Sequence, residues 1–85
     1  MPEISRFLGI LVFMLYADHH PPHFHARYAE FEVRVDIETG LVAGTFPRRA
    51  LMLLMEWYML HKEDLLMDWS LSRKHQPLKR IAPLE

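Results

Sequence analysis

Four of the six histidines in this 85-residue chain lie between Asp18 and Tyr28, in Asp-His-His-Pro-Pro-His-Phe-His-Ala-Arg-Tyr. Near neutral pH imidazole serves as acid, base, metal ligand or donor to an anion. Pro21 and Pro22 stiffen the approach, because each fixes its own φ and lacks a backbone donor. On an extended segment His23 and His25 share one face. With Asp36, and His19 or Asp18, they form a candidate shell for a divalent transition metal such as zinc or nickel. The same rings beside arginines suit phosphate: His23 and His25 as general base and acid, Arg34 stabilising phosphate charge, Asp36 orienting His23. Arg27, Arg34, Arg48 and Arg49 would then contact RNA or DNA. A structural reading stands beside both. Cross-strand His23–Asp36 and Arg27–Glu32 pairs are worth a few tenths to ~1 kcal/mol each.

The pattern around these residues predicts what positions them. Arg6–Tyr16, apolar but for Arg6 and Gly9, reads as one buried strand bulged at the glycine. His23–Tyr28 and Phe31–Ile37 alternate, with Ala29-Glu30 as the turn between them. Thr39-Gly40 signals another turn before a strand over Leu41–Phe46. If Ala29-Glu30 is a two-residue turn, Tyr28 opposes Phe31, Arg27 opposes Glu32, and Ala26 opposes Val33. Further out, His25 opposes Arg34, Phe24 opposes Val35, and His23 opposes Asp36. Polar then meets polar and apolar meets apolar, an agreement that a one-residue slip would destroy. One sheet face would display His23, His25, Arg27, Glu32, Arg34 and Asp36, with Asp18, His19 and His20 at its rim. Arg34 beside His25 counts against a cation there, and the spacing matches no standard zinc pattern.

Pro47 suits the first turn of a helix. From Ala50 to Leu60 every residue except Glu56 is apolar, so this helix needs cover on more than one side. The sheet supplies one cover; a second chain or the folded-back C-terminal segment supplies the other. Lys62 falls within the stripe of Leu51, Leu54, Met55, Tyr58, Leu65 and Trp69, which predicts a kink or restart near His61. Glu63 and Asp64 would occupy the first turn of the new helix, ending near Lys74. The expected fold is therefore α+β, a four-stranded antiparallel meander packed on a C-terminal helix that kinks or restarts near His61. It makes a single domain over 1–85, with a meander at 1–46, a helical part at 47–74 and an extended tail at 75–85.

Composition narrows the classes. A 51% hydrophobic content suits a folded globule, and a net charge of -1 with histidine neutral projects no global field toward nucleic acid or membrane. Local charge is uneven, with a basic tail at Arg73, Lys74, His75, Lys79 and Arg80. The absence of cysteine excludes disulfides and thiolate metal sites and fits a reducing compartment. The N-terminus lacks a signal-peptide layout, and Phe7–Tyr16 is far shorter than the ~20 residues of a membrane helix. A cytoplasmic protein is expected, with no membrane contact.

Met-Pro-Glu-Ile-Ser-Arg-Phe-Leu-Gly-Ile at the start and the Asp18-His19-x-Pro-Pro-His23-Phe-His25-Ala block resemble domain-of-unknown-function family 4160. So do Pro47-Arg-Arg-Ala-Leu leading to Glu56-Trp57, His61-Lys-Glu-Asp-Leu-Leu, and Gln76-Pro-Leu-Lys. The positions matching the family pattern are Asp18, His19, Pro22, His23, His25, Arg48, Arg49, Glu56 and Trp57; His20 is a departure from it. The resemblance implies a small single-domain prokaryotic protein encoded beside another small protein, as in toxin–antitoxin pairs, and brings no established activity. It implies a partner protein, in agreement with the doubly apolar helix, and the expected assembly is a homodimer or a complex with the neighbouring gene product. The leading expectation is a toxin–antitoxin-like module binding nucleic-acid phosphate, with RNA cleavage as its enzymatic version. The alternatives are a metal-binding domain using His19, His23, His25 and Asp36, and a non-catalytic interaction protein.

Overall fold

A computed structural model describes residues 2–85. In chain order the elements are β1 (Glu3–Phe7), β2 (Ile10–Phe13), β3 (His23–Tyr28), β4 (Phe31–Asp36), β5 (Val42–Thr45), α1 (Arg48–Leu60) and α2 (Lys62–Arg73). The five strands form one antiparallel sheet in sequence order. The fold is α+β, but the meander has five strands rather than four. The segment read as one strand over Arg6–Tyr16 is a hairpin, with Phe7 paired to Ile10 across Leu8-Gly9. Both turn residues have positive φ, 50° and 84°. That geometry matches the twist of the flanking strands and suits a two-residue loop.

The β3–β4 register is the predicted one at all six pairs, from His23 opposite Asp36 to Tyr28 opposite Phe31. Alternation then sends Phe24, Ala26, Val33 and Val35 into the core and the polar set to the other face. On that polar face β2 contributes Leu11 opposite Arg27 and Phe13 opposite His25.

Trp57 and Tyr58 of α1 meet Phe24 from the core side, with ring centroids 5.8 and 6.0 Å apart. The Tyr58 hydroxyl donates to the buried Ile37 carbonyl at 2.6 Å. The helix does restart at His61, whose N–H donates to Trp57 O and Tyr58 O. The break lets Lys62 leave the apolar stripe and donate to Glu38 O on the sheet side. Glu63 and Asp64 occupy the first turn of α2. Pro47 stands one place before the helix, as its N-cap, and accepts from Leu51 N–H.

The last residues form no helix or strand but fold back onto the core. Ile81 is buried and donates its N–H to Ile4 O at 2.8 Å. The indole of Trp57 donates to Ala82 O at 2.8 Å, and Lys79 N–H donates to Asp68 Oδ1 at 2.9 Å. Leu78 and Leu84 pack against the same core. Among the described residues, no helix is long and apolar enough to cross a membrane.

Candidate metal centre

β3 places His23 and His25 on the polar face, and the loop after β2 brings Asp18 over them. That loop is held to the end of α2: Ala17 N–H donates to Ser72 O, and the Arg73 guanidinium donates to Asp18 O. Asp18 Oδ1 accepts from His19 N–H at 2.8 Å, which leaves Oδ2 to face the rings. His23 Nε2 lies 2.8 Å and His25 Nε2 3.3 Å from that one oxygen.

His23 is 2% exposed, against 15% for the His25 side chain and 18% for that of Asp18. The pair therefore opens outward over His25 and Asp18 and is closed behind His23. Trp69 of α2 lies against the His23 ring at 5.2 Å, and Phe13 stacks on His25 at 5.1 Å and 12°. The far nitrogen of His23, Nδ1, is 2.8 Å from Pro21 O. A carbonyl only accepts, so Nδ1 carries a proton and donates. Nε2 then meets a carboxylate that also only accepts. The contact calls for a positive charge between them, either a second ring proton, on Nε2, or a cation shared with Asp18.

Burial acts to raise the Asp18 carboxyl. The hydrogen bonds from His19 N–H and from the His25 and His23 rings outweigh it and hold the group below its ordinary value of 3.8. Asp18 is thus anionic in the neutral range, as a ligand must be.

Asp18, His23 and His25 form the one group of three or more His, Cys, Asp or Glu among the described residues able to converge on a metal ion, their ligand atoms within 4.8 Å of one another. Two imidazoles and a carboxylate are a donor set for a divalent transition metal that leaves coordination positions open. Ligands about 2.05 Å from one ion at tetrahedral angles stand about 3.3 Å apart, the separation already present between Asp18 Oδ2 and His25 Nε2. The His23 contact would open by roughly half an ångström to match. The donation from Nδ1 to a backbone carbonyl is the outer contact that orients a metal-bound histidine.

The remaining residues with predicted roles lie apart from this group. Asp36 faces His23 in register, but its Oδ1 accepts from Glu38 N–H and Thr39 N–H in the turn before β5. His19 and His20 are exposed at the rim, and His20 meets Trp69 edge-on at 5.6 Å. Arg27 is engaged by Glu32 through Nε and Nη2 and lies over the Phe13 ring. Arg34 is exposed beside His25 and forms no ion pair among the described residues. Arg48 and Arg49 stand at the start of α1, lining a surface groove with Met52, Leu53 and Glu56. Sequence reasoning did not foresee Arg73, 55 positions from Asp18 in the chain yet bonded to it. Only its place in the basic tail hinted at a role.

No curated protein and no solved structure matches the chain. The family described as Domain of unknown function (DUF4160) matches residues 9–70, from the first hairpin turn into α2 and across the whole histidine block, and the chain belongs to that family.

Proposed function

We propose that this protein binds a divalent transition metal through Asp18 Oδ2, His23 Nε2 and His25 Nε2. One observation carries the reading: two imidazole nitrogens from one strand turn onto a single anionic carboxylate oxygen. The outer donation from His23 to Pro21 O and the aromatic packing of both rings support it. Zinc and nickel suit this nitrogen-and-oxygen donor set.

Untagged protein dialysed against zinc or nickel should retain about one metal per chain, and excess metal should raise the thermal midpoint. His25→Ala and Asp18→Asn should each lose the metal while keeping the circular-dichroism spectrum of the parent. Less than about a tenth of a metal per chain, with no thermal shift, would remove the proposal.

A second reading, contact with nucleic-acid phosphate in a toxin–antitoxin setting, is favoured by the exposed guanidiniums of Arg34, Arg48 and Arg49, none of them ion-paired among the described residues. RNA affinity that falls steeply with salt would support it. Affinity indifferent to salt would not.

A further inference from the structure

The geometry points to a phosphate group as the outside ligand of the metal, bracketed by Arg34 and Arg73. This rests on the metal reading above and adds the chemical class that the open coordination positions would take. Three protein ligands leave such positions free. Because His23 closes the inner side while His25 and Asp18 are partly exposed, those positions face solvent.

Charge decides what arrives there. Arg73 donates to the backbone oxygen of Asp18, and Arg34 sits across the β3–β4 ladder from His25. One arginine thus neighbours each exposed ligand, Arg73 by its guanidinium and Arg34 by its place in the ladder. Neither forms an ion pair among the described residues, whereas Arg27, the third on this side, is neutralised by Glu32. A divalent ion adds two further positive charges, opposed locally by Asp18 and by Asp36, whose Oδ1 is held in its turn. The loaded surface is left net positive, and a dianion offsets that better than a monoanion.

Guanidinium forks match phosphate oxygens in pairs, and a metal ion takes a further oxygen of the same group. Shape agrees with charge. Four surface clefts, two along α1, one at the α1–α2 break and one beside β5, are lined by residues other than Asp18, His23 and His25. The two outer ligands, His25 and Asp18, are reached from solvent, so recognition concentrates on a compact anion read from the surface.

Cobalt(II) separates this inference from the one beneath it. The full-length chain loaded with cobalt should show visible absorption bands absent from the free ion, and inorganic phosphate should shift them saturably. In Arg34→Ala/Arg73→Ala phosphate affinity should fall at least about tenfold. Arg34→Ala alone removes no hydrogen bond seen in the structure. It should weaken phosphate in the same direction, which keeps the test sound if loss of Arg73 loosens the Asp18 loop. A phosphate monoester and a short single-stranded RNA, titrated in parallel, separate terminal from backbone phosphate; either one shifting the same bands supports the inference. Cobalt bands that no phosphate compound alters would overturn it and leave the metal reading standing. So would an arginine variant that titrates like the parent. Absence of protein-bound cobalt bands would overturn both.

Discussion

At the scale of single residues, the two carboxylates near His23 have separate jobs. Asp36 stands across the ladder from His23, yet its carboxylate fastens the turn that starts β5. Asp18 comes from a loop and gives one oxygen to both rings. Asp36→Asn should therefore keep the metal, since an amide oxygen still accepts from Glu38 and Thr39. Asp18→Asn should lose at least about a hundredfold in metal affinity, beyond the 10–100-fold typical of an outer-contact mutation. Calorimetric titration of the two variants checks the contrast, and equal loss in both would contradict it. His23 and His25 were legible in the sequence because strand alternation fixes which side chains share a face. The partner acid was less so. Asp36 is placed by ladder pairing, which a sequence shows, whereas Asp18 is placed by a loop path through two prolines and a clamp from α2, which no periodicity encodes.

At the scale of elements, the β3–β4 hairpin was readable despite its poor Ala-Glu turn, because six matched pairs outvote one unfavourable dipeptide. Ala29 does adopt a positive φ of 51° to make that turn. The β1–β2 hairpin escaped the same reading. β2 is apolar at all four positions, so no alternation there marks the register, and Leu-Gly is not a recognised hairpin pair. Gly9 was the signal, and a bulge was the wrong inference from it. The helix break was legible from Lys62, a charge that cannot stay in an apolar stripe. At the far edge, Gly44 has a φ of 108°, and a Cβ there would stand 2.5 Å from the Glu32 carbonyl oxygen. Backbone cannot yield as a flexible side chain can. Gly44→Ala should therefore cost about 3 kcal/mol in urea denaturation, the upper end of ordinary backbone strain, and free the β5 edge for hydrogen exchange. A cost below about 0.5 kcal/mol, the level of a neutral surface change, would show that β5 bends away easily.

At the scale of the whole molecule, the C-terminal segment holds the layers together, tying β1, α1 and α2 through Ile81, Ala82 and Lys79. The last of these ties uses Asp68, which is fully buried and whose Oδ2 has no hydrogen-bond partner. Burial pushes its carboxyl above the ordinary 3.8, despite the Lys79 N–H that favours the anion. The folded chain thus keeps this proton to higher pH than the unfolded chain, so the Asp68 contribution to stability falls as pH rises from 3.8 through the raised value. Glu3 acts in the opposite sense. Hydrogen bonds from Arg6 and Arg80 lower it from 4.5 to about 2, so its contribution is complete above 4.5 and is lost as pH falls toward 2. Asp68→Asn keeps the acceptor for Lys79 and removes a buried charge, so it should be more stable than the parent at neutral pH, with the gap closing on acidification. Urea midpoints across pH check this, and a constant gap would contradict it. The histidine face is the other product of the assembled fold, since it needs β3, the Asp18 loop and the end of α2 together. Crystals of the zinc-loaded protein, measured at the zinc absorption edge, test that centre most directly. An anomalous peak is expected within bonding distance of Asp18 Oδ2, His23 Nε2 and His25 Nε2; a peak elsewhere, or those nitrogens turned away from the carboxylate with no peak between them, would contradict a metal centre here.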